Sequence, residues 1–249
     1  MVRIPCITTL WCSLVQRRSP FVSRTTSAPP ADLNSTVIRS ALFALHHRTV
    51  SVPRAERVAT ALANTIGHAG SLLDIGAGDG VIARDLAQRV GAQRVAGVDV
   101  KLRPDPCIDV VHYDGEQLPF PDGAFEIVVL SDVLHHCARP AVVLSEALRV
   151  ATRAVAIKDH FRFGPLSDKI LLAMDVAGNA APGVLVRGTY FSPADFVALV
   201  EEAGGRVADL TWPLRIHDLP FRLITWDRLQ FAARIEHARE DAPLTPETS

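Results

Sequence analysis

Two hydrophobic rhythms alternate along most of the chain. Short apolar runs of four to six residues alternate with segments whose apolar positions recur every three or four residues. The first rhythm belongs to buried strands, the second to amphipathic helices. The pattern becomes regular from about Thr36. Residues 54–65 predict a helix, with Val58, Leu62 and then Ile66 spaced by four and Ser51 and Pro53 before it as start signals. Residues 71–75 predict a buried strand, 76–80 a glycine turn, and 81–90 a helix with Ile82, Leu86 and Val90 on one face. Further strands are predicted at 94–99, 108–113, 125–130 and 154–157, a proline-bearing loop at 118–123 and a helix at 140–150.

The rhythm changes after Phe161. Residues 166–176 predict a helix and 178–188 a Gly- and Pro-bearing loop. Ser192-Pro-Ala-Asp195 is patterned as a capping box with proline at the first helical position, opening a helix that stops at Gly204-Gly205. Strands at 207–212 and 229–235 close the pattern. Strands alternating with helices predict an α/β fold. It is a Rossmann-like, doubly wound, mostly parallel seven-stranded sheet with helices on both faces. The domain spans 36–236, with 161–190 as a variable segment covering the substrate. Ligands of such sheets sit beyond the carboxyl ends of the strands, where strand order reverses.

Charge sets the termini apart. Residues 1–31 hold Arg3, Arg17, Arg18 and Arg24 and no acid, whereas the rest holds 22 bases against 27 acids. Residues 1–35 read as a disordered leader, and 237–249 as a polar tail. The overall net charge of −1 excludes a general nucleic-acid binder. No run approaches the ~18–20 apolar residues of a membrane span. Cys6, Cys12, Cys107 and Cys137 contain no Cys-x-x-Cys spacing, so no zinc or redox pair is expected, and reduced thiols fit a cytoplasmic-type compartment. A mitochondrial address is the alternative if the Arg-rich leader is a presequence.

The candidate chemistry centres on Leu72-Leu-Asp-Ile-Gly-Ala-Gly-Asp-Gly80. A strand feeds a Gly-x-Gly-x-Gly turn that opens a helix, so backbone can approach a ligand closely. The dinucleotide fingerprint wants a third glycine where Val81 stands. Asp74 and Asp79 in the turn also suit a cationic or polyhydroxylated ligand better than a pyrophosphate. Asp99 ends the second strand, where a carboxylate can accept both ribose hydroxyls. Asp114-Gly115 follows the third strand, where a short acid can meet the amine of a base.

These residues, with Gln117-Leu-Pro-Phe-Pro-Asp-Gly-Ala-Phe-Glu-Ile-Val-Val129 and Asp132-Val-Leu-His-His136, resemble the class I S-adenosylmethionine-dependent methyltransferases. The likeness is to the broad group that includes the ubiquinone and menaquinone methyltransferases, and it covers roughly residues 55–160. Glu126 stands where the family usually has Asp. Ala151-Thr-Arg153 stands where it often has a Lys-Pro-Gly-Gly turn. The resemblance implies S-adenosylmethionine as cofactor. Asp74 would meet its amino group, with Gly76, Ala77, Gly78 and Gly80 as close-approach backbone. Asp99 and Val100 would hold the ribose, Asp114 and Gly115 the adenine, and Ser131 the methionine side.

The implied reaction is methyl transfer to a small-molecule or lipid-like acceptor by in-line displacement. A base is needed only if the acceptor carries a proton of high pKa. The candidates are His136, and Asp159 and His160 in Lys158-Asp-His160 at the end of the fifth strand; the bland reading of His160 is a loop residue paired to Asp159. His135-His136-Cys137 is expected to be a helix-start loop with one His toward the pocket, not a metal site, because adjacent side chains rarely converge. Asp175, Asn179 and Tyr190 are placed near an acceptor pocket by topology. Leu166, Ile170, Leu171, Leu172, Met174, Leu185 and Val186 favour an apolar acceptor. His46-His47 and the Trp212/Trp226 pair are read as packing or surface. Two other readings stay open: an NAD-dependent oxidoreductase, and a non-catalytic methyltransferase-like assembly factor. No Asn-Pro-Pro-Tyr-type tetrapeptide follows the fourth strand.

Overall fold

A computed structural model describes residues 52–179, 188–217 and 226–238. The leader, His46-His47, Leu185, Val186 and residues 239–249 lie outside them. The sheet has seven strands: β1 (Ser71–Ile75), β2 (Arg94–Asp99), β3 (Val110–His112), β4 (Phe125–Ser131), β5 (Ala151–His160), β6 (Gly205–Thr211) and β7 (Gln230–His237). Their spatial order is β3-β2-β1-β4-β5-β7-β6. The first five are parallel, and β7 runs antiparallel between β5 and β6. Strand order reverses between β1 and β4, which puts a crevice beyond Ile75 and Ser131.

Alternation along the central strands builds two cores. Ile127 and Val129 of β4 pack with Leu72, Ala154 and Ala156 against α1 (Val52–Ile66) and α2 (Val81–Val90). Val128 and Leu130 face the other way, with Leu73 and Ile157, onto α3 (Pro140–Val150) and α5 (Pro193–Glu202). Both faces are covered, which is why these strands read as continuous apolar runs. α4 (Pro165–Asn179) joins β5 to the segment before α5.

Local signals fix the helix ends. Gly91 takes φ 78 after α2, and its N–H closes on the Ala87 carbonyl. At α5, Ser192 Oγ accepts from the Asp195 N–H at 3.1 Å and Asp195 Oδ2 accepts from the Ser192 N–H at 3.0 Å, a complete capping box.

Most boundaries fall within two residues of the sequence expectation, and four differences have a clear physical setting. β3 covers only 110–112 of the expected 108–113. Cys107 and Asp109 spend their backbone groups on Asp79 and Gly97 instead. β5 covers 151–160 rather than 154–157, because α3 passes straight into it without a turn. Arg153 holds that junction: Nη1 and Nη2 donate to the Ile66 and His68 carbonyls at 3.1 and 2.6 Å. α4 extends through Asn179, into the expected 178–188 loop, of which 180–187 lie outside the described residues. β7 includes His237, a residue that the sequence pattern places in the polar tail.

Candidate active site

β1 delivers Asp74 to the crevice and runs into the glycine turn. The turn is tied to β2, since the Gly76 and Ala77 N–H groups both donate to the Val98 carbonyl, at 2.8 and 3.1 Å. Gly76 sits at φ 74, and a Cβ there would lie 2.6 Å from Val133 Cγ2. Glycine alone lets the turn pass this close to the segment after β4. The Gly78 N–H donates to Asp99 Oδ2 at 2.8 Å and the Lys101 N–H to Oδ1 at 2.9 Å. Each Asp99 oxygen keeps a lone pair for a further donor. Gly80 closes the turn onto the Ala77 carbonyl at 2.8 Å and hands the chain to α2.

Asp74 is buried, and its Oδ1 has no hydrogen-bond partner among the described residues. Burial first, then the carboxylates of Asp99 and Asp79, push its pKa up to about 8. Ser131 Oγ, at the end of β4, is also buried without a partner. Two orphaned polar atoms at adjoining strand ends need donors or acceptors from a ligand or solvent. Asp74, Asp79 and Asp99 oppose an anion there and suit a ligand bearing an ammonium and hydroxyls.

The turn after β3 completes this side. Exposed Asp114 accepts from the Glu116 and Gln117 N–H groups, both at 2.8 Å, and these bonds hold its carboxyl below the usual range. Gly115 takes φ 90, and a Cβ there would come 3.2 Å from Cγ1 of exposed Val100. The turn after β3 therefore lies against the residue that follows β2.

Beyond the carboxyl ends of β4 and β5 lies a buried cluster of ionisable groups. Asp132 follows β4 in a left-handed conformation, φ 58. Its N–H donates to the Lys158 carbonyl at 2.8 Å, and its carboxylate receives both the Lys158 ammonium and the Arg54 guanidinium. Burial alone would raise Asp132, but Lys158 and Arg54 hold it well below the carboxylate range.

His135 and His136 form a 3₁₀ turn after Asp132. His135 Nδ1 lies 2.6 Å from Asp159 Oδ1, and Nε2 lies 3.3 Å from Asp175 Oδ2. Burial opposes the charged imidazole, but Asp159 and then Asp175 outweigh it and raise His135 to about 10. The Tyr190 hydroxyl donates to the same Asp175 oxygen. His136, half-buried with its ring centroid 4.0 Å from that of His135, is pushed down by burial and by His135. His160 is buried, with Nδ1 3.4 Å from both Asp132 and Asp159, and burial and Lys158 lower it too. Burial, Arg54 and Lys158 lower His217 to about 4.

His160 thus stands on β5 rather than in a loop, and it is buried, so the expected loop position does not hold. Asp159 is engaged by His135 and by the His160 N–H at 2.7 Å. Asp175 and Tyr190, placed only by topology, meet each other and His135; the side chain of Asn179 lies outside the described set. Trp212 is exposed and stacks on Phe163, centroids 5.7 Å apart. The sequence reading has Asp132 only as part of the resemblance motif and Arg54 only as the start of a helix, and their pairing is not read from it. They are 78 residues apart, and the one available signal was an acid directly after Ser131. A cleft lined by Arg162, Asp168, Lys169, Leu172, Gly188, Thr189 and Tyr190 opens beside α4 and meets the cluster at Tyr190.

Residues 73–154, from β1 into β5, match the family model of the methyltransferase domain. No curated protein sequence matches the chain. Among solved structures, one chain of the complex between the Haloferax volcanii Trm112 methyltransferase activator and a methyltransferase has a TM-score of 0.61 at 15% identity. The match covers 85% of this chain and 100% of that one. The YcgJ protein of Bacillus subtilis gives 0.52 at 16% identity, covering 72% and 97%. An S-adenosylmethionine-dependent methyltransferase of Mesorhizobium loti gives 0.53 at 16%, covering 73% and 96%. At these identities the likeness is one of fold. No helix among the described residues is long and apolar enough to cross a membrane.

Proposed function

Since the chain carries a class I S-adenosylmethionine-dependent methyltransferase domain, we propose that it methylates a small-molecule or lipid-like acceptor seated over the carboxyl ends of β4 and β5. The buried cluster around Asp132 and His135 carries this reading. It adjoins the glycine turn through the Gly76–Val133 contact and opens to the cleft at Tyr190. Such a cluster is costly in a fold unless it binds or orients something.

S-adenosylmethionine supplies a methyl group on a sulfonium, a good leaving group, for in-line displacement. Its ammonium suits the orphaned Asp74 carboxyl, its ribose hydroxyls suit Asp99 beside Val100, and its adenine amine suits Asp114 beside Gly115. The backbone of Gly76, Ala77, Gly78 and Gly80 allows close approach, and Ser131 Oγ faces the methionine side. The main work of this chain is alignment and exclusion of water, worth up to ~7–11 kcal/mol in well-oriented systems. Leu172 and Tyr190 give the cleft an apolar wall, while Arg162, paired with Asp168 and Asp195, and Lys169 give it a polar one of mixed charge. That combination suits an acceptor with an apolar body and a polar end. Of the three expected proton acceptors, Asp159 is a positioning residue for His135, His136 lies beside the His135 ring, and His160, kept neutral by burial, is able to take a proton.

The test is transfer from S-adenosylmethionine carrying a tritiated methyl group, with solvent extract of whole cells as acceptor pool. Label in the organic or small-molecule fraction supports the reading. Label confined to RNA or protein contradicts it.

A further inference from the structure

We propose that His135, His136 and Asp175 form a binding site for one divalent first-row metal ion on the acceptor side of the sheet. The inference rests on the acceptor reading above and deepens it.

The first observation is the set of unused ligand atoms. His135 Nε2 and His136 Nδ1 are both buried; His136 Nδ1 has no hydrogen-bond partner among the described residues, and His135 Nε2 has only its long contact with Asp175. One nitrogen from each ring and one Asp175 oxygen all lie within 4.8 Å of one another.

The second is spacing. Two ligands at about 2.0–2.2 Å from a tetrahedral ion stand about 3.3–3.6 Å apart. His135 Nε2 and Asp175 Oδ2 are 3.3 Å apart, too long for a good hydrogen bond and right for two ligands of one ion.

The third is the surround. A metal-bound histidine usually donates its other ring N–H to a carboxylate, which fixes the ring. His135 Nδ1 does this at 2.6 Å to Asp159. The Tyr190 hydroxyl orients the Asp175 carboxylate in the same way. Lys158 and Arg54, the cations that would repel an ion, are drawn onto Asp132 instead.

Adjacent histidines diverge on a strand, which is why the sequence offered no metal here. On this 3₁₀ turn the rings tilt by 49° with centroids 4.0 Å apart, and one nitrogen of each ring comes within 4.8 Å of the other and of an Asp175 oxygen. The overlapping group of His135, Asp159 and His160 is the poorer candidate. Its His135 Nδ1 already lies at hydrogen-bond distance from Asp159, which leaves no room for an ion. Two imidazoles and a carboxylate suit zinc or iron(II) rather than calcium or magnesium. Three protein ligands leave a position open, and an oxygen of the acceptor is the ligand class that fits it.

The experiment is calorimetric titration of the chelator-stripped full chain with Zn²⁺, alongside titration with S-adenosylhomocysteine. The expected result is one Zn²⁺ per chain with Kd below about 1 μM. His136→Ala and Asp175→Asn should each weaken binding at least 100-fold, and Asp159→Asn by about 10–100-fold. Unchanged S-adenosylhomocysteine binding in His136→Ala shows that the variant is folded. Absence of saturable Zn²⁺ binding, or binding indifferent to His136→Ala and Asp175→Asn, overturns the metal site. Failure of the S-adenosylhomocysteine arm alone overturns the cofactor reading instead.

Discussion

The Lys158 ammonium is completely buried and rests on the carboxylate of Asp132, the residue that turns the chain out of β4 with φ 58. β5 thereby holds the segment after β4, because the Asp132 N–H also donates to the Lys158 carbonyl. Lys158→Met keeps the stem volume and removes the charge, leaving Asp132 to Arg54 and the His160 ring. The expected cost is about 3–5 kcal/mol, the range for breaking one side of a buried pair. Urea unfolding measures it. A cost within error of zero would mean that the pair does not hold the turn.

A second prediction concerns Asp74 and pH. Its carboxyl is raised to about 8 by burial, Asp99 and Asp79, against about 3.9 in an unfolded chain. From pH 4 to pH 8 the folded chain therefore keeps a proton that the unfolded chain has lost. Stability from this group is complete below pH 4 and falls as pH rises, until it is gone above pH 8. Asp74→Asn stays neutral throughout. Without cofactor, the variant should match wild type near pH 4 and exceed it in melting temperature by pH 8, while losing S-adenosylmethionine affinity. Thermal unfolding at the two pH values, with calorimetry of the cofactor, checks both halves. A variant less stable than wild type at pH 8 contradicts the assignment.

A third prediction tests how closely the glycine turn is fitted. Gly97 of β2 has an ordinary backbone, but a Cβ there would lie 2.6 Å from the Cβ of Ala77. Gly97→Ala should push Ala77 toward the ligand side, costing about 1–3 kcal/mol as overpacking and weakening cofactor binding. Unfolding and calorimetry on the same preparation measure the two effects. Full affinity with full stability would show the turn to be loosely packed.

The order of strands and helices was legible because each central strand is buried on both faces, so Leu72-Leu73 and Ile127–Leu130 read as unbroken apolar runs. Gly76, Gly78 and Gly80 and the acids at strand ends were legible for a local reason, since close backbone approach needs glycine in sequence next to the strand. The acceptor side was less so. Lys158, Asp159 and His160 look like an exposed strand end, and their burial depends on Arg54, Asp175 and Tyr190, brought in from α1, α4 and the segment before α5. Polar pairs across 78 residues, such as Arg54 and Asp132, leave no periodicity to read. The start of β5 was misjudged for a related reason. Arg153 reads as a loop residue until its bonds to Ile66 and His68 at the end of α1 are seen.

The central claim is that the crevice between Asp74 and Asp99 holds S-adenosylmethionine. It is tested most directly by calorimetric titration of the full chain with S-adenosylmethionine, S-adenosylhomocysteine and NAD, with Asp99→Ala alongside. The account predicts one site for each of the first two, none for NAD, and at least a tenfold loss of affinity in Asp99→Ala. Binding of NAD alone, or S-adenosylmethionine binding that Asp99→Ala leaves intact, would contradict it.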